Sequence, residues 1–119
     1  MSTPHRPAGI HLLADLAGID VHLLTDADAI DALLREAALA AGARILHSHF
    51  HAFGPGMGVT GVLLLAESHI SIHTWPEHGF AAADIFMCGE SQPQRALAVI
   101  DAAFRPNTRS VQTIARGQL

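Results

Sequence analysis

Apolar and polar positions along this 119-residue chain change period several times, and each change marks the edge of an element. Residues 9–18 (GIHLLADLAG) are apolar and bounded by glycines, which suits a buried strand, although pattern alone leaves a helix open. Thr25-Asp26 supplies a helix N-cap, and Asp28 and Asp31 suit the dipole of its first turn. Ile30, Leu33, Leu34 and Ala37 then recur at helical spacing toward Ala41, with Gly42 as the natural C-cap. Over residues 43–53 the period falls to two. Leu46, Ser48, Phe50 and Ala52 share one face; His47, His49, His51 and Phe53 share the other.

Gly54-Pro55-Gly56-Met57-Gly58 breaks this pattern, since three glycines and a proline forbid regular structure. Strands are predicted over residues 59–66, 68–74 and 80–87, with a turn over 75–79. Pro93 opens a second helix whose buried stripe is Leu97, Ile100 and Phe104. Pro106-Asn107 ends it, and residues 110–115 form a last strand. The order β-α-β-β then β-β-α-β predicts one α+β domain over residues 1–119. It is a two-layer sandwich, an antiparallel sheet with both helices packed on one face.

Composition narrows the function. Half the residues are hydrophobic and 15% are charged, enough apolar material for a core and too little charge for long disordered tracts. A net charge of -4, with scattered arginines, argues against nucleic acid, whose binding rests on clustered cations. One cysteine forms no internal disulfide. The first residues lack the apolar stretch of a secretory signal, and the run over 59–66 is too short to span a bilayer. The expectation is a soluble cytoplasmic protein with no membrane partner.

The chemistry concentrates in E-S-H-I-S-I-H-T-W-P-E, residues 67–77. An isolated serine at a strand junction usually just completes a turn, but Ser68 stands between Glu67 and His69. Its hydroxyl becomes a nucleophile when a base or local strain activates it. His73, five residues on, is a candidate base. Cys88 is either a small buried apolar residue or a strand-end thiol able to deliver a proton. His47, His49 and His51 form a ladder that, with His69 or His73, has the ligand types of a zinc or iron site. A partly solvated strand face, or a ladder lining a cleft, explains the histidines better than so weak a spacing motif, and no metal is expected. Phe53 and Trp75 offer flat surfaces to a planar ligand, and Glu77 a carboxylate for hydroxyls.

Together these residues resemble the prokaryotic S-adenosylmethionine decarboxylase proenzymes, a pyruvoyl-dependent family. The resemblance runs through GIHLLAD at residues 9–15, Phe50-His51-x-Phe53, GVTGV at 58–62, the 67–77 motif and HGFAAADIFMCG at 78–89. It implies self-cleavage at Glu67–Ser68 into segments 1–67 and 68–119. The Ser68 hydroxyl attacks the preceding carbonyl to give an ester; elimination and hydrolysis then leave a pyruvoyl group. His73 matches the processing base, and Thr60 stands where the family has a serine that assists. Cys88 matches the proton donor of decarboxylation. Phe53 and Trp75 are implied to contact adenine and Glu77 the ribose hydroxyls. The resemblance further implies S-adenosyl-L-methionine as substrate, for spermidine biosynthesis, and a homodimer of cleaved chains as the assembly.

The lack of lysine fits, because pyridoxal phosphate, the common electron sink for amino-acid decarboxylation, is anchored on that residue. Two features depart from the family. The 54–58 loop is longer and richer in glycine, and Ala52 replaces an often basic residue. Both flank the implied ligand pocket, so the same chemistry on arginine or ornithine stands beside the first reading. The histidine ladder adds another alternative, an inactive metal-binding homologue.

Overall fold

The computed structural model describes residues 7–118. Six strands, β1 (Gly9–Ala17), β2 (Ile45–Ala52), β3 (Val59–Leu65), β4 (Ser68–Trp75), β5 (Phe80–Cys88) and β6 (Thr108–Arg116), form one antiparallel sheet in the order β2-β3-β4-β5-β1-β6. Helix α1 (Ala27–Ala40) joins β1 to β2, and α2 (Pro93–Phe104) joins β5 to β6. β2 to β5 meander through short turns, while β1 inserts between β5 and β6. Both helical connections are therefore long crossovers, and both helices land on the same face of the sheet.

Local chemistry sets these boundaries. The Asp26 side chain accepts from the Ala29 backbone N–H at 3.1 Å and caps α1. Pro93 stands in the first turn of α2, where its missing N–H costs nothing. The core lies between the layers. Leu12, Leu16, Leu63, Ile70, Ile72, Ile85 and Met87 point from the sheet onto Ile30, Leu34, Ala37, Ala96, Ile100 and Phe104. The strict alternation of the strands leaves the opposite face without a covering layer, and it carries His11, Thr60, Val62, Leu64, His69, Ser71, His73, Asp84 and Phe86.

The structure alters three expectations. An irregularity in the β2–β3 register between Ile45 and His47 shifts the phase of β2. Ile45 thereby turns toward the helices, and Leu46, expected to share a face with Ser48 and Phe50, is exposed. Trp75, expected in a turn, is the last residue of β4, and the turn itself is a short 3-10 helix, Pro76–His78. A second 3-10 turn, Val21–Leu24, was not predicted; four residues carry no resolvable period.

That second turn matters because of Thr74, the one buried polar residue among those described. Its hydroxyl accepts from the Val59 N–H at 2.8 Å and donates to the Leu24 carbonyl at 2.7 Å, tying β3, β4 and the turn together. Replacing it by valine leaves a buried donor and acceptor unpaired. Thr74→Val is expected to lower unfolding free energy by about 1–3 kcal/mol in a urea titration, with Thr74→Ser close to wild type. Equal stability of all three would show that the bridge contributes nothing.

Candidate active site

The Glu67–Ser68 bond sits at the tip of the β3–β4 hairpin, where Leu65 pairs with Ser68 and only Ala66 and Glu67 form the loop. Glu67 has φ 59°, the left-handed region that a side chain disfavours by about 1–2 kcal/mol. Strain is thus stored at the residue that contributes the carbonyl of this bond. The half-buried Ser68 hydroxyl oxygen accepts from the Cys88 backbone N–H at 3.2 Å. Cys88 ends β5, and its thiol pKa is raised, first by burial and then by the Glu67 carboxylate. A thiol held protonated at neutral pH is suited to donating a proton rather than to acting as a nucleophile.

A second group gathers at the far end of β4. A cavity of about 320 Å³ is lined by residues that include Phe53, Thr60, His73, Trp75 and Glu77. Thr60 and His73 pair across β3 and β4, and a hydrogen bond of 3.0 Å joins the Thr60 hydroxyl to His73 Nδ1. Trp75 lies tilted against Phe80, with ring centroids 5.5 Å apart, and Phe53 meets the edge of His51 at 4.6 Å. Aromatic walls with one carboxylate suit a planar, cationic ligand.

Within one chain these groups do not meet. Ser68 and His73 are five residues apart on one strand, so about 17 Å separates their backbones. They also face opposite ways: Ser68 has the parity of buried Ile70 and Ile72, and His73 that of His69. The candidate residues fall into two groups, Ser68 with Cys88 and Glu67 at one end, Thr60 with His73 and the cavity at the other.

Three further features complete the picture. His47, His49 and His51 stand on the open face of edge strand β2, opposite Leu64, Val62 and Thr60. Among the described residues no group of three or more His, Cys, Asp or Glu converges to hold a metal ion. Met57, Gly58 and Thr74 also line the cavity. The 54–58 loop was expected beside the pocket, whereas Thr74 was unforeseen from sequence. Near the Ser68 end, His11, His69, Phe86 and Arg116 cluster on the open face. There the His69 pKa is lowered, chiefly by burial and then by His11, with Asp84 opposing.

The family model described as S-adenosylmethionine decarboxylase matches residues 10–117. The chain belongs to the S-adenosylmethionine decarboxylase family. Among its relatives is an S-adenosylmethionine decarboxylase proenzyme of Sulfurihydrogenibium sp. (strain YO3AOP1), 44% identical over 113 residues, covering 94% of this chain and 84% of that protein. A proenzyme of the same name from Pyrococcus abyssi is 43% identical over 110 residues, covering 92% and 78%. The crystal structure of the adenosylmethionine decarboxylase of Aquifex aeolicus superposes with a TM-score of 0.86 at 42% identity, over 93% of this chain and 92% of that one. The Trypanosoma brucei enzyme shares the fold alone, with a TM-score of 0.65 at 17% identity over 86% of this chain and 44% of that one.

Members of the family depend on a pyruvoyl group that arises from a serine of the chain. The residues here fit such a group. Among the described residues Glu67 is the one glutamate in the left-handed region, it directly precedes Ser68, and the Cys88 N–H already faces the Ser68 side-chain oxygen. No helix among the described residues is long and apolar enough to cross a membrane.

Proposed function

We propose that this chain is an S-adenosylmethionine decarboxylase that cleaves itself at Glu67–Ser68 and converts Ser68 into its pyruvoyl group. The observation that carries this reading is the strained Glu67 turn with the Ser68 oxygen held by the Cys88 N–H. Attack of the hydroxyl on the Glu67 carbonyl moves the acyl group from nitrogen to oxygen and removes Glu67 from its disfavoured conformation. Segments 1–67 and 68–119 then stay together through the β3–β4 ladder and the shared core. Once formed, the pyruvoyl carbonyl supplies the sink for the electron pair released with carbon dioxide. Cys88 returns a proton to the α-carbon. A free thiol in that role suits the reducing cytoplasm.

The two groups become one site if a second copy packs against the open sheet face. A two-fold axis running through that face lays the His73 end of one copy beside the β3–β4 tip of the other, where Ser68, the first residue of its strand, is reached round the end of the sheet although its side chain has the parity of the helix-facing residues. Leu64 and Ile114, both more than 40% exposed, lie on this face with Val62 and Phe86, which gives a sheet-on-sheet contact apolar material. In the homodimer His73, set by Thr60, acts as processing base on the partner subunit's serine. Phe53 and Trp75 hold the adenine, and Glu77 the ribose hydroxyls near the sulfonium.

Intact mass of the denatured protein, paired with carbon dioxide release from S-adenosylmethionine, arginine and ornithine, tests the reading. Two fragments and turnover of S-adenosylmethionine alone are expected. Turnover of arginine or ornithine instead would reject the substrate. The relatives named above lend those amino acids and the metal-binding alternative no support. Cys88→Ala is expected to cleave normally yet decarboxylate about 10²–10⁴-fold more slowly, the range a positioned acid contributes. Undiminished turnover would place the proton donor elsewhere.

A further inference from the structure

Gly9 is the cross-strand partner of Cys88, on the neighbouring strand β1. A Cβ added at Gly9 would stand 2.6 Å from the Met87 carbonyl oxygen, 3.0 Å from Cys88 Sγ and 3.1 Å from Phe86 Cε1. Real side chains tolerate none of these comfortably, so any other residue at position 9 would crowd the Met87 carbonyl first and the thiol and Phe86 ring with it. The third wall of this slot, Phe86, is itself held on several sides. His11 meets its ring at 5.9 Å in a T-shaped contact, His69 lies tilted at 5.8 Å, and the Arg116 guanidinium stands over it at 5.7 Å. From another direction the Cys88 backbone is fixed by its N–H on the Ser68 oxygen.

We propose that Gly9 and Phe86 are positioning residues for decarboxylation, forming a slot that holds the Cys88 thiol in one rotamer beside residue 68. The inference rests on the reading of Cys88 as proton donor. Proton transfer works over hydrogen-bond distance only, so a change of χ1 at Cys88 removes its effect even with the thiol intact. The open sheet face around His11 and His69 thereby gains a task. It braces the ring that braces the thiol. Burial is also the leading cause of the raised Cys88 pKa, so a thiol pushed from the slot ionises at lower pH.

Because Cys88 is the sole cysteine, alkylation by iodoacetamide reports on it without ambiguity. Gly9→Ala and Phe86→Ala would each be compared with wild type by intact mass, by the pH dependence of alkylation, and by carbon dioxide release. Both variants are expected to self-cleave. Each should alkylate several-fold faster at neutral pH with the midpoint moved toward the ordinary thiol range. Carbon dioxide release should fall at least about 10-fold. Phe86→Ala leaves the backbone contact with Met87 untouched, so it decides the matter should Gly9→Ala fail to fold. Unchanged alkylation in a folded Phe86→Ala protein overturns the slot. Faster alkylation with undiminished carbon dioxide release overturns the positioning role; if Cys88→Ala is equally undiminished, the fault lies in the reading of Cys88 itself.

Discussion

Ser68→Ala is expected to yield a single full-length polypeptide with no detectable decarboxylation, the largest effect any one substitution in this chain should have. The reason is stoichiometric. On the proposed route, self-cleavage needs an oxygen on the side chain of residue 68 to accept the acyl group of Glu67, and the pyruvoyl carbonyl is later made from that same residue. Alanine supplies neither, whereas loss of Cys88 removes only a proton. The fold should survive, because the Ser68 side chain makes one hydrogen bond, accepted from a backbone N–H, and its ladder pairing with Leu65 does not involve the hydroxyl. Mass spectrometry of the denatured protein and carbon dioxide release check both halves of the prediction. Two fragments from the alanine variant would move the cleavage site away from Glu67–Ser68.

The second large effect concerns the distance along β4. If His73 serves a partner subunit's serine, His73→Ala alone should remain uncleaved, and so should Ser68→Ala alone. Mixed dimers behave differently. A chain carrying His73→Ala still has its serine, and beside a Ser68→Ala partner it meets an intact histidine. With equal co-expression and random pairing about half of all dimers are mixed, so about half of the His73→Ala chains should be cleaved. Each mixed dimer also holds one complete site, so the mixture regains about a quarter of wild-type decarboxylation. No cleavage in the co-expressed mixture would overturn the shared site. Cleavage of His73→Ala by itself would show that another group is the base.

How far the sequence revealed these sites depends on the range over which the relevant forces act. β4 and β5 could be read directly, because alternation such as His69-Ile70-Ser71-Ile72 records which side of a sheet is dry. The helices were equally plain: Asp26 and Pro93 announce their starts, and Ile30, Leu34, Ile100 and Phe104 repeat at the helical period. The phase of β2 was not legible at Leu46, since an irregularity inserts one residue without leaving a compositional mark. Nor could the 3-10 turn at Val21–Leu24 be foreseen. It depends on Thr74, fifty residues away, whose hydroxyl donates to the Leu24 carbonyl.

The sequence by itself determined the α+β class, the family and the chemical inventory, because periodicity and a dense polar motif are local properties of the chain. Ser68, His73 and Cys88 stood out as candidates from residue type and order, with their roles implied by the family resemblance. Only the tertiary structure decided how they are grouped. It put Ser68 against Cys88, twenty residues distant in sequence, through the pairing of neighbouring strands, and it kept His73 away, at the other end of the strand they share. The physical reason is the rigidity of extended backbone: a strand alternates its faces and cannot fold back on itself. Residues close in the motif are thereby held apart, and residues far from it, Gly9 among them, become neighbours.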